Sequence, residues 1–547
     1  MYVDSAAIKR GDKTYFRHLL RESYREDGKI KHRTVLNLSC CSMAEVNALK
    51  LALKHKEKLA SLLALDGIES TMGKRIGAVF ALKAVIERLG IAKALGTSRD
   101  ARLAVFQIIA RVIDQGSRLS AVRLAESHAL CELLGINKLD EDDLYPNLAW
   151  LAEQQEKIEK ALFALRFPNT VPTLFLYDVT SAYLEGTCNE LGAFGYNRDR
   201  KEGKLQIVVG LLAGQDGLPV AVRVFEGNTN DTKTVSEQIR ILADSFGVKE
   251  VTLVGDRGMI KGPQIAALPD DFRYITAITK PQISKLLSTG TFQMELFSER
   301  VCEVAVDNVR YVLRRNPLRA KQMAQTRVSK RSAVTEMAAE QTKYLAEHPG
   351  ADAKKALLRV TSKIQRLKAA SWLCATENAR EISITQDDAA LANEALLDGC
   401  YVIKSDVPKA SADAQTLHDR YCDLENVERA FRTMKTAHLD LRPVYVHKAA
   451  STRGHVFVVM LALLVQRELE RCWSELNITT EEGVDELGAI CALEVRLGDA
   501  TVNTIPKPAP RAVVLLAKAN VSLPSALPFP RVTVHTKKKL SAERNRK

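Results

Sequence analysis

Thr173–Asp178, TLFLYD, is a run of apolar and aromatic residues closed by an aspartate. Too short for a helix and rich in strand-favouring side chains, it reads as a buried β-strand. Working downstream, Leu205–Ala213 (LQIVVGLLA) and Leu218–Gly227 (LPVAVRVFEG) flank Gln215-Asp216-Gly217 and read as a hairpin. Thr234–Phe246 (TVSEQIRILADSF) has helical periodicity. Glu250–Asp256 (EVTLVGD) repeats the opening pattern, an apolar strand ending in aspartate, and Phe272–Thr279 (FRYITAIT) is one more strand.

Three strands, a helix, a strand, a helix and a strand is the order of an RNase H-like α/β sheet. In that order the first and fourth strands are neighbours, so Asp178 and Asp256 meet at their ends. Two carboxylates that close repel, which calls for a proton or a cation between them. Much further on, Tyr421–Lys435 (YCDLENVERAFRTMK) contains no Gly or Pro and predicts one helix. Tyr421, Leu424, Glu428, Phe431 and Lys435 recur every three or four residues, a stripe expected to face the core although it carries an acid and a lysine. Either Glu428 pairs with Arg432 in solvent, or it is the third carboxylate of the Asp178–Asp256 site. Three converging carboxylates suit Mg²⁺. Two such ions, about 3.5–4 Å apart, serve in-line phosphoryl displacement.

Composition agrees with a polyanionic substrate. Against 66 Asp+Glu stand 79 Lys+Arg, giving a formal charge of +13 and a pI near 9.1, a balance suited to nucleic acid. The ten cysteines form no CxxC pair and predict free thiols in a reducing compartment. The first residues lack the apolar core of a secretory signal. The longest apolar run, Val456–Val465, is half a membrane span, and the expectation is a cytoplasmic, nucleoid-associated protein. No P-loop, HExxH, GxSxG or GxGxxG motif supports nucleotide, zinc-protease, serine-hydrolase or dinucleotide chemistry.

The chain divides by pattern. Residues 1–66 form a basic β-rich segment with a turn at Gly28, and residues 67–167 a helical domain that either reads DNA ends or is plain helical packing, since no diagnostic recognition helix is present. Residues 168–284 and 401–475 are the two parts of the RNase H-like core, the second opening with the strand DGCYVIKSD (398–406) and carrying the Glu428 helix. Between them, residues 285–400 are a β-rich and helical insertion. It contains an acid-free window from Asn308 to Thr335 that holds Arg314, Arg315, Arg319, Lys330 and Arg331, predicted to contact DNA phosphates. Residues 476–547 form a C-terminal region, Pro-rich from Pro506 and ending in the basic KKKLSAERNRK, which predicts disorder.

LYDVTSAYLEG around Asp178, LVGDRGM around Asp256 and YCDLENVERAFRTMK resemble the DDE transposases of bacterial insertion sequences. The resemblance is to the cut-and-paste group with a β-rich insertion before the last acid. In that group the acid lies in a Tyr-x2-Arg-x3-Glu-x6-Lys pattern. Tyr421, Glu428 and Lys435 keep the spacing, while Leu424 stands at the arginine position, which Arg432 or Arg429 would have to cover. The resemblance implies Asp178, Asp256 and Glu428 as catalytic residues and as ligands of two Mg²⁺ ions, for which Mn²⁺ can substitute. It implies Tyr421, Lys435 and Arg432 as contacts to DNA phosphate. The partners implied are double-stranded DNA, as terminal inverted repeats and as target, and a second copy of the chain when assembled on it. The reaction implied is cleavage at the element's ends followed by strand transfer. Two rival readings share these motifs: a catalytically retired DNA-binding descendant, and a metal-dependent nuclease that only hydrolyses.

Overall fold

The computed structural model describes residues 1–10, 13–54, 56, 68–199, 201–436, 439–443, 445–497, 500–525 and 532–534. Three antiparallel strands open the chain, β1 (Tyr2–Arg10), β2 (Lys13–Glu26) and β3 (Lys29–Asn37). The turn between β2 and β3 is Asp27-Gly28, with φ of 50° and 72°. A two-residue hairpin whose twist matches its strands needs positive φ at both positions, and Asp-Gly adopts it with little strain. Arg21–Asp4, Arg33–Glu22 and Lys31–Glu26 pair across this sheet, so part of its positive charge is already answered. Helix α1 (Met43–Lys54) follows.

A helical stretch comes next: β4 (Ile68–Arg75), α2 (Gly77–Arg88), α3 (Ile91–Leu95), α4 (Arg99–Ile113), α5 (Arg118–Ser127), α6 (Leu130–Leu134), β5 (Lys138–Leu139) and α7 (Glu141–Arg166). Ser98, Ser117 and Asp140 start α4, α5 and α7 by accepting a first-turn N–H that would otherwise lack a partner.

The core begins with β6 (Leu174–Tyr183), β7 (Gln206–Gly214) and β8 (Pro219–Glu226). Then come α8 (Asp231–Arg240), β9 (Val251–Gly255), α9 (Gly262–Ala266), β10 (Phe272–Ala277) and α10 (Lys280–Ser288). The next part runs β11 (Cys302–Val306), β12 (Val309–Arg315), α11 (Pro317–Glu347), α12 (Ala353–Arg366), β13 (Leu373–Asn378), β14 (Glu381–Gln386) and α13 (Asp388–Leu396). The chain returns through β15 (Cys400–Ser405), α14 (Ala414–Cys422), α15 (Leu424–Lys435) and α16 (Ala449–Trp473). It finishes with α17 (Thr480–Gly488), β16 (Cys491–Leu497), β17 (Ala500–Thr504), α18 (Pro510–Lys518) and β18 (Thr533–Val534).

One mixed sheet of eight strands, in the order β11-β12-β15-β10-β9-β6-β7-β8, organises the molecule. β9 runs parallel to β6 and to β10, and the other neighbours are antiparallel. Every residue of β7 is buried, which is why its sequence after Gln206 is continuously apolar instead of alternating.

The predicted insertion, 285–400, is smaller than expected. β11 and β12 join the main sheet through β15, so they extend the core. What stands outside it is α11, α12, the β13–β14 hairpin and α13, built around Val334, Val360, Ile364 and Trp372.

Nor do the helices of residues 77–166 form a body of their own, as the sequence suggested. They share a hydrophobic core with the sheet and with α16, which packs against α7, α4, α2 and β8. Among the described residues α16 is the one helix long and apolar enough to cross a membrane, and most of its surface is covered by protein. At Gly454 a Cβ would lie 1.8 Å from the carbonyl oxygen of Leu148, so only glycine lets α16 cross α7 this closely. The Pro-rich end is ordered further than predicted: Ala512, Leu515 and Leu516 of α18 are buried, and the Leu515 carbonyl accepts from the Trp473 indole. The basic run after Val534 lies outside the described residues.

Candidate active site

The parallel pairing of β6 with β9 matches Leu174 with Thr252 and ends with Tyr177 opposite Gly255. The next residue on each strand is Asp178 and Asp256. Two carboxylates therefore leave adjacent strands at the same level. β6 itself does not stop at Asp178 as TLFLYD suggested. It continues to Tyr183 along β7, with Asp178 opposite Leu211, so Asp178 ends only the parallel half of its pairing.

Asp178 keeps some surface, but its carboxyl is enclosed by protein on most sides. Burial raises its pKa to about 7, with Asp256 and Glu428 adding to the rise, while the Val179 N–H and Arg198 oppose it. Asp256 is exposed and accepts from the Arg257 N–H at 2.7 Å and from the Tyr421 hydroxyl at 3.2 Å. Tyr421 is half-buried, and burial followed by the Asp256 charge pushes its hydroxyl pKa upward.

The single helix expected over Tyr421–Lys435 is two. α14 starts earlier, under the side chain of Asp413, and gives way at Asp423 to α15. The break moves Tyr421 onto the first helix and leaves Glu428 on the second. The buried face of α15 is Leu424, Val427, Ala430, Phe431 and Met434, which places Glu428 on the exposed side, not on the buried stripe. Among the described residues no cation pairs with Glu428, and the Glu428–Arg432 ion pair is not formed.

Two of the cations nearby are already engaged. Arg198 binds both oxygens of Asp231, at 2.7 and 2.6 Å. Lys435 donates to the Thr180 hydroxyl at 3.0 Å and pairs with Asp199. Neither Asp199 nor Arg198 is announced by a spacing in the sequence, because their partners come from distant segments. As placed, no three Asp, Glu, His or Cys side chains among the described residues close around a common point. The donor set is nevertheless the one a hard cation takes, oxygen only, with a buried carboxyl repelled by two others. Glu428, being exposed, has room to turn inward.

The cations predicted from the acid-free window divide. Arg314 is half-buried and donates to the Glu299 carbonyl and to His418, so it also supports the fold. Arg315 is exposed and donates to the Asp398 carbonyl. Arg319 and Arg331 are exposed along α11 and Lys330 is half-buried there, while Arg432 is exposed on α15. His418 went unnoticed in the sequence. It is 5% exposed, with Nε2 2.7 Å from Arg314 and 2.6 Å from the Tyr401 hydroxyl, and Nδ1 2.9 Å from Asp419. It fastens α14 to β12 and β15.

With the geometry in hand, the relatives are informative. Residues 169–465 match the family model for the transposase DDE domain, more than half of the chain, and the protein belongs to that family: it is a DNA transposase. Residues 5–64 match the N-terminal domain of IS1634 family transposases, which assigns it to the transposases of insertion sequences. No curated protein matches the chain.

Proposed function

We propose that the protein cleaves DNA at the ends of its element and joins them to a target by two-metal phosphoryl transfer, on a core of RNase H-like type. The observation that carries this reading is the pairing of β6 with β9, which delivers Asp178 and Asp256 side by side while nearby Arg198 and Lys435 are held by other acids. Uncompensated carboxylates facing one another call for a multivalent cation. Asp178 and Asp256 would hold it, with Glu428 completing the ligands from α15. Mg²⁺, or Mn²⁺ in its place, would activate the attacking oxygen and stabilise the leaving one.

The chain's own groups supply the rest. Tyr421 donates its hydroxyl to Asp256, which orients that carboxylate, and would touch the neighbouring phosphate. Lys435, beside Thr180, would exchange Asp199 for a phosphate oxygen when DNA arrives. Arg432, Arg315, Arg319, Lys330 and Arg331 would answer charge along the duplex. We carry over from the resemblance the terminal repeats and target as substrates, assembly as a dimer on DNA, and a cytoplasmic location.

The test uses DNA with the terminal sequences that flank the gene, in Mg²⁺, comparing the native protein with Glu428→Gln. Cleavage and joining by the native protein alone supports the proposal. Cleavage without joining makes it a nuclease, and tight binding without cleavage by either protein makes it a retired transposase.

A further inference from the structure

Beginning at Arg257, the residue after Asp256, a cavity of about 290 Å³ opens between the loop after β9 and the start of α10. Arg257, Lys261 and Lys404 line it, along with Thr276, Thr279 and Gln282, and no acid does. Among the described residues, none of these three cations is in an ion pair. Lys404 instead lies over the Tyr274 ring at 5.8 Å, and Asp406, just past the end of its strand, accepts from the Tyr274 N–H.

The wall carries a second signal. Thr276 is 2% exposed and its hydroxyl has no hydrogen-bond partner, an omission worth about 1–3 kcal/mol in a finished interior. By contrast, Thr279 and Gln282 satisfy each other in a capping box at the start of α10. Three unpaired cations around a cavity repel one another, and a buried hydroxyl without an acceptor adds to the cost. One phosphate group removes both defects. Arg257 joins the cavity to the carboxylates, since it follows Asp256 in the chain and its charge reaches Tyr421.

We propose that this cavity binds a backbone phosphate of the DNA strand running past Asp256, with Arg257, Lys261 and Lys404 meeting its charge and Thr276 donating to one of its oxygens. This rests on the transposase reading for the identity of the strand. It adds a contact one residue beyond the metal ligands that fixes the strand's direction across the site.

The test is equilibrium binding of the full-length protein to a duplex of the element's end, measured against salt concentration. Each phosphate contact adds about 0.9 to the slope of log affinity against log salt. Lys404→Gln and Lys261→Gln each lower the slope by a fraction of that, while Lys404→Arg keeps it. Thr276→Val weakens binding several-fold without changing the slope. Unchanged affinity and slope in Lys404→Gln and Thr276→Val, with native thermal unfolding, overturn the inference. Displacement of the duplex from the native protein by deoxyadenosine monophosphate, lost in Lys404→Gln, would assign the cavity to a free nucleotide and overturn it equally. The same preparations assayed for end cleavage separate the two readings. Native cleavage with unaltered slopes in the variants removes only this inference, and altered slopes without native cleavage remove only the transposase chemistry.

Discussion

The carboxylate end of the β6–β9 pair and the arginine-rich part of the insertion look opposite in the sequence and prove opposite in the other sense. From Asn308 to Thr335 there is no acid, yet the fold brings acids in from outside the window. Arg310 pairs with Glu303, and Arg327 pairs with Asp398 in a contact almost closed to solvent. Near Asp178 both signs are present in the sequence, but the fold ties Arg198 to Asp231 and Lys435 to Asp199, leaving the acids unanswered. A local charge count describes neither region. What marks a binding centre is charge left over after long-range pairing, not charge along the chain.

Four measurements would break or sharpen that contrast. The largest effect belongs to the unanswered acids: Asp178→Asn and Glu428→Gln each take end cleavage in Mg²⁺ to background, read as product on a sequencing gel. Next is the answered pair. Arg327→Met leaves the buried Asp398 only Lys280, at 4.0 Å, and costs about 3 kcal/mol by urea unfolding, with turnover of the folded fraction kept. If both regions responded alike, the contrast would be empty. Third, Tyr421→Phe removes the hydrogen bond to Asp256 and slows cleavage about 10–100-fold, as loss of a group orienting a metal ligand does.

The smallest effect is on stability and pH. The folded pKa of Asp178 is raised from 3.8 to about 7, so the unfolded chain releases this proton first as pH rises. The metal-free protein should lose this contribution between about pH 4 and pH 7 and level off above, because the unfolded state binds fewer protons across that window. Asp178→Asn removes the decline and raises the midpoint of thermal unfolding at pH 8 in the absence of metal. A native protein equally stable at pH 5 and pH 8, once matched to that variant, would show that the acids are not in conflict.

What was legible followed from local pattern. TLFLYD and EVTLVGD announced two buried strands, and their order in the chain was enough to bring Asp178 beside Asp256. The Asp27-Gly28 turn was equally plain. The break at Asp423 was not, because nothing in YCDLENVERAFRTMK disfavours helix. The start of α14 was available in principle, since Asp413 lies three residues before Thr416 and caps it. The exposure of Glu428 does not come from that break: Leu424 and Phe431 of the expected stripe are buried, but Val427, Ala430 and Met434 complete the buried face, which leaves Glu428 outside it. Membership of β11 and β12 in the main sheet, and the fusion of residues 77–166 with α16, depend on pairings between distant segments that periodicity does not record.

That fusion has a consequence for how the chain comes into being. The apolar faces of α2, α4 and α7 leave the ribosome long before α16, the helix that must cover them and that fits against Leu148 only because Gly454 has no side chain. At about 5–20 residues per second, the stretch from Arg166 to Ala449 takes roughly 15–60 s to synthesise. Through that interval the early helices present apolar surface without their partner, and the core is completed only after Glu428 has been made.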